Sequence, residues 1–343
     1  MKKISLSLLL FFSLLSIARC TSQPEFLNND DNSTQSPLTD FGDSLQISAT
    51  PYFTLTPVVN DQTDITSIYD LSPQLYLVTN DGIGLKIRDT EKNAYGYLLK
   101  ENIYFADFLF ETKELLFLQE AVYIYKFANK SKLEILEYDQ FYYFLPAWAF
   151  ENTRVSYIYR TENSNKPKAT ILNIDDRSKY NLDLFEMGED FVSWSPDGKK
   201  FIVLTADSET SLPKAYLGNT SCFEHDKFTC NSQDLELLNS DPEIGFYSPS
   251  WSPNSAKVMG LCQHNLKKYQ IDLCLIDLTL SNQITFLTND FEIKNNVKWS
   301  PDGQWVAYES PYTGDQIYIS RYDTDAYELF AEGELIVFWM LIE

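Results

Sequence analysis

Two histidines, five cysteines and a surplus of carboxylates are the side chains from which this 343-residue sequence could build chemistry. A hydrolytic relay needs a nucleophile beside a histidine. His225 and His264 instead sit in polar stretches next to cysteines, with no such partner at a readable spacing. The sequence also lacks the G-x-S-x-G turn that presents a nucleophilic serine. Asn80-Asp81-Gly82-Ile83-Gly84 misses the glycine spacing of both nucleotide fingerprints and reads as a hairpin turn at Asp81-Gly82. Cys222, Cys230, Cys262 and Cys274 lack the C-x-x-C spacing of a zinc site. The residues therefore spell no catalytic set, no cofactor and no metal, and the protein is read as a non-enzyme.

The four internal cysteines are even in number and read as disulfides or buried thiols. Cys262 and Cys274 flank a polar stretch between two strand-like runs, so a hairpin would set them opposite one another. Cys222 and Cys230 would staple a polar loop. The fifth cysteine, Cys20, closes an N-terminal segment of a different kind. Met1-Lys2-Lys3 is followed by an apolar run from Ile4 to Ala18, the layout of an export signal. Leu15-Ser16-Ile17-Ala18-Arg19-Cys20 resembles a bacterial lipoprotein signal, which implies lipidation at Cys20, although Arg19 stands where that pattern has Gly, Ala or Ser. Ser16-Ile17-Ala18 also fits ordinary cleavage after Ala18. Residues 21–45, rich in Asn, Asp, Ser and Thr, cannot bury apolar area and read as a disordered tether. The expected organisation is signal 1–20, tether 21–45 and a folded domain over 46–343.

Composition bounds what that domain can be. Hydrophobic residues make up 44% and aromatics 15%, enough for a substantial core. Lys and Arg number 27 against 49 Asp and Glu, a formal charge of −22. Such a chain is repelled by nucleic acid and by anionic membrane surfaces, so membrane attachment is expected only through Cys20. Abundant Tyr and Phe favour strands over helices.

Positioning comes from an internal repeat. Val192-Ser193-Trp194-Ser195-Pro196-Asp197-Gly198, Pro249-Ser250-Trp251-Ser252-Pro253-Asn254-Ser255 and Val297-Lys298-Trp299-Ser300-Pro301-Asp302-Gly303 are three close copies. Pro146-Ala147-Trp148 begins a degenerate fourth and Phe108 anchors a fifth. Leu71-Ser72-Pro73 is a worn first copy. In each, an apolar strand ends at the aromatic anchor and a tight turn follows: Pro presets φ, Asp bonds downstream backbone and Gly accepts positive φ. Units of four short strands at this period predict a radial array.

These repeats resemble the WD40-like (PD40) repeats of TolB-type propellers over roughly residues 60–330. The resemblance implies an all-β, six-bladed propeller of four-stranded antiparallel blades, with seven blades as the alternative. Leu335–Leu341 reads as an inner strand that completes the first blade and closes the ring between the N- and C-terminal strands. Protein or peptide partners in the bacterial cell envelope, a monomeric state and a membrane-anchored location are the implied setting. The loops entering the inner strands are the expected contact face: Tyr142, Tyr143, Glu189, Asp190, Phe246, Tyr247, Lys294 and Asn295. The rival reading is a calcium-dependent propeller hydrolase or lyase acting on a glycan or lactone, its calcium held by acids such as Glu189 and Asp190.

Overall fold

The computed structural model describes residues 68–90, 95–136, 142–161, 164–182, 184–185, 188–189, 191–223, 230–264, 270–280, 283–290, 293–310, 316–322, 324 and 327–342. The signal, Cys20, the tether, Asp190 and His225 lie outside the described residues.

Strand-forming runs separated by tight turns fold into six four-stranded antiparallel sheets. Blade 2 is Phe105–Leu109, Glu114–Leu118, Val122–Lys126 and Ser131–Leu136. Blade 3 is Tyr142–Trp148, Arg154–Thr161, Ser164–Asn173 and Lys179–Asn181. Blade 4 is Phe191–Trp194, Lys200–Ala206, Pro213–Asn219 and Glu236–Leu237. Blade 5 is Ile244–Trp251, Lys257–His264, Ile271–Asp277 and Ile284–Phe286. Blade 6 is Asn295–Trp299, Trp305–Ser310, Gln316–Arg321 and Tyr327–Glu332. Blade 1 joins both ends of the chain: Leu335–Ile342 is its inner strand, paired to Gln74–Asn80, then Leu85–Asp89 and Tyr95–Leu99. The first strands of successive blades touch one another around the ring, and Leu335–Ile342 touches those of blades 2 and 6. The seven-blade alternative is thereby replaced by six.

The turn after each anchor repeats one hydrogen-bond pattern. Ser195 Oγ donates to Asp197 at 2.7 Å and accepts the Lys200 N–H at 2.9 Å. Ser252 and Asn254 repeat this with Lys257, and Ser300 and Asp302 repeat it with Trp305. The fourth residue takes positive φ, 66° at Gly198 and 72° at Gly303, which glycine adopts without steric cost. Ser255 holds the same place at φ 55° and accepts the Asp197 N–H from the neighbouring blade at 3.2 Å.

The core is a set of wedges between blades. Phe108 belongs to the wedge of blades 1 and 2, Trp148 to blades 2 and 3, Trp194 to blades 3 and 4, Trp251 to blades 4 and 5, and Trp299 to blades 5 and 6. Each anchor thus packs back on the preceding blade. Trp194 donates its indole N–H to Ser156 Oγ at 2.7 Å. Leu116, Ile202 and Met259 occupy that register in blades 2, 4 and 5. The indole N–H groups of Trp148, Trp251 and Trp299 accordingly find no partner among the described residues. Apolar area at these anchors outweighs the cost of an unmade hydrogen bond.

Both internal cysteine pairs are disulfides, Cys222–Cys230 and Cys262–Cys274. The second pair is fully buried beside Gly260, whose missing side chain receives the Phe246 ring. A Cβ there would lie 2.3 Å from Phe246 Cζ. Gly260→Ala should therefore cost about 1–3 kcal/mol through forced repacking, read as a lowered urea midpoint with an unchanged slope.

Candidate functional site

Inner strands run from an entry loop on one face to the repeat turn on the other, so side chains at a common position form a layer around the axis. The residue just before each anchor defines such a layer. It is Asp107 in blade 2, Ala147 in blade 3, Ser193 in blade 4, Ser250 in blade 5 and Lys298 in blade 6. These side chains lean toward the next blade. Asp107 Oδ2 accepts the Trp148 N–H at 2.8 Å, and Ser250 Oγ accepts the Trp299 N–H at 2.8 Å. An inner strand has one unpaired backbone edge, and this layer supplies it with acceptors.

Two charges stand out in the layer. Asp107 and Lys298 belong to blades 2 and 6, with blade 1 between them, yet each feels the other's charge. Both residues hold the same layer of their inner strands, one place before the anchor. Each keeps a partial path to solvent, while enough protein surrounds it to penalise the ion. Burial pushes the Asp107 carboxyl up, opposed by the Trp148 N–H and the Lys298 ammonium. Burial pushes Lys298 down, opposed by Asp107 and Glu309. The Lys298 ammonium makes no hydrogen bond or ion pair among the described residues, and neither does the Ser193 hydroxyl. Perturbed groups in one layer of a rigid scaffold mark a candidate site.

The same axis carries strained backbone. Leu145, Ser248 and Asn296, each three residues before an anchor, adopt φ of 53°, 48° and 40° at register shifts in blades 3, 5 and 6. Bulges of this kind re-aim inner-strand side chains and gather where a fold meets its ligand. Ser248 Oγ accepts the Val297 N–H at 3.3 Å, tying two of the bulges together.

The entry loops differ from the sequence expectation. Glu189 is fully buried and accepts backbone N–H groups from Leu184, Phe185 and Ala169. It staples its own loop, so neither an exposed contact role nor calcium ligation suits it. Lys294 is fully buried and ion-pairs with Asp290, and Phe246 is fully buried against Gly260. These three are corrected from contact residues to structural ones. Tyr247 is half-buried; its hydroxyl donates to Gln263 at 2.7 Å, and burial pushes it up to about 12. Asn295 is partly buried at the start of its strand. Tyr142 and Tyr143 lie on the inner strand of blade 3. Other loops are pinned the same way: Asn239 accepts the Ala215 N–H and donates to Ile244 O, and Lys214 donates to Asp241 O and Ile244 O. Asn80 donates to Ile103 O ahead of blade 2. His264 stacks on Phe286 with ring centroids 4.9 Å apart, a packing role. Among the described residues no three His, Cys, Asp or Glu side chains gather to hold a metal ion.

Sequence reasoning passed over Asp107 and Lys298. The signal was present: lining up the anchors shows charges at a position filled elsewhere by Ala147, Ser193 and Ser250.

Comparison with solved structures places this geometry. TolB from Acinetobacter baumannii superposes with a TM-score of 0.59 at 14% identity, covering 79% of this chain and 67% of that one. The fold is that of a TolB-like propeller. A chain of the nidogen/laminin complex gives 0.57 at 9% identity over 77% of this chain and 97% of that one. Hydrazine synthase from Kuenenia stuttgartiensis gives 0.51 at 10% identity over 80% and 81%. At these identities the likeness extends to the fold alone. No family model matches the chain, and no curated protein matches its sequence.

Proposed function

We propose that the protein is an exported, lipid-anchored, non-catalytic propeller scaffold of the bacterial cell envelope that binds a protein or ligand on its entry face and axis. The observation that carries this reading is the pinning of the entry loops. Blades 2, 4, 5 and 6 hold theirs with Asn80, Glu189, Asn239 and the Lys294–Asp290 pair, and blade 1 holds its own with Glu334. Loops fixed in advance lose little entropy on association, which favours recognition. Two disulfides fit an oxidising compartment. Exposed Ile83, Tyr104, Phe105 and Leu335 stand at the entry ends of the strands of blades 1 and 2. They offer apolar contact area in an acidic surround.

The test is capture of partners from envelope extract by the tethered domain. One partner should be enriched, and Ile83→Asp with Leu335→Asp should abolish its capture without lowering the melting temperature. Unchanged capture by that variant would remove the entry face from the reading. Turnover of a glycan or lactone with no captured partner would replace it with the hydrolase or lyase alternative.

A further inference from the structure

The layer before the anchors has a directional chemistry. Three consecutive blades present donors: the Ser193 hydroxyl and the Lys298 ammonium, neither with a hydrogen-bond partner among the described residues, and the Ser250 hydroxyl proton left over after its oxygen accepts the Trp299 N–H. Ala147 leaves room on the blade before them. Asp107 stands beyond blade 1, its two oxygens each accepting a backbone N–H, from Phe108 and from Trp148, with one lone pair left on each. Glu309 is engaged by the Ile336 N–H at 2.6 Å and by Asn296.

We propose that the ring axis of this protein is a binding site for a small carboxylate, its oxygens held by Lys298, Ser193 and Ser250. The inference rests on the binding role proposed above and names its ligand class. Charge decides against a phosphate. Lys298 is one positive charge with Asp107 and Glu309 in range, a net of −1 while both acids are ionised, so a second charge on the ligand only adds repulsion; once Asp107 is protonated, a monoanion meets a site of zero net charge. The raised carboxyl of Asp107 adds a further feature: once protonated, it becomes a donor to the incoming carboxylate. Binding should then take up a proton. Among the described residues, Asp107 and Glu309 are the acids whose charge acts on Lys298. Acidification neutralises the first and leaves the ammonium charged, so affinity rises as pH falls.

Acetate and inorganic phosphate, each against chloride at matched ionic strength, are the probes for the full-length protein. Acetate should raise the melting temperature beyond chloride, and more at about pH 5 than at about pH 7. Lys298→Met should weaken acetate binding in calorimetry about tenfold or more. Lys298→Arg should retain most of it, and Ser193→Val should give an intermediate loss in a protein that still melts cooperatively. Three results would overturn the assignment: no effect of acetate beyond chloride, an acetate effect that survives Lys298→Met, or phosphate acting more strongly than acetate. None of them bears on partner capture at Ile83 and Leu335, so this site and the scaffold role can fail separately.

Discussion

Glu334→Ala should lower the unfolding free energy by about 3–5 kcal/mol, the usual cost of removing one partner from a buried ion pair. Glu334 is 4% exposed and precedes the strand that closes the ring. Its carboxylate takes a two-point bond from Arg88, at 2.9 and 2.7 Å, the ammonium of Lys86 at 3.0 Å and the Thr79 hydroxyl at 2.6 Å. Lys86 also pairs with Asp81 at 2.9 Å, which accepts from Tyr97. Alanine would take the two-point carboxylate from Arg88 and one of the two carboxylates from Lys86, both cations mostly buried on blade 1. Glu334→Gln keeps the volume and one acceptor and should fall between the two. Chemical denaturation of the three proteins decides; a loss under about 1 kcal/mol in Glu334→Ala would show the cluster to be balanced by desolvation.

The same clasp predicts an acid dependence. Burial alone would raise the Glu334 carboxyl, but Arg88, Thr79 and Lys86 together hold it below its ordinary value. Burial likewise opposes, and Lys86 with backbone N–H groups overcomes, so that Asp81 is lowered to about 2. Both native values lie under the unfolded ones near ~4. Their contribution is therefore complete above the unfolded pKa and is lost as pH falls toward about 2. In Glu334→Ala the stability curve should be flatter across that interval.

Removing the Cys262–Cys274 bridge by Cys262→Ala with Cys274→Ala should cost about 3 kcal/mol. The bridge spans 12 residues and ties the second strand of blade 5 to the third. Cross-linking restricts the unfolded chain by an amount set mainly by that span, and the buried position adds two truncated side chains to the loss. A single-step melt displaced by several degrees is the expected reading. Because both sulfurs are inaccessible in the native protein, reductant should act on the wild type only at the rate of unfolding.

The ring was legible because its signal is local. Ser-Pro-Asp-Gly after an aromatic residue fixes a turn by itself, and three good copies set the period for the worn ones. The C-terminal strand was legible too, as an inner-type apolar run with no blade of its own. The burial of Glu189, Lys294 and Phe246 was not legible, because a loop side chain looks exposed until its partners are known. Glu189 finds them in backbone N–H groups up to 20 residues away, and Lys294 in Asp290. Phe246 is hidden by Gly260, a contact that depends on register across the sheet. Asp107 and Lys298 look like ordinary outward residues of alternating strands. Aligning the anchors marks that position in the sequence, but only ring closure brings its copies into one layer, and closure is a property of the whole chain.

Closure also sets a timetable. Thr79 and Glu334 are 255 residues apart, so the strand Gln74–Asn80 is made long before its inner neighbour exists. At ~5–20 residues per second, synthesis leaves that edge unpaired for roughly 13–50 s. Until that strand arrives, on the ribosome or after export, the edge of Gln74–Asn80 stays open to pairing with another strand.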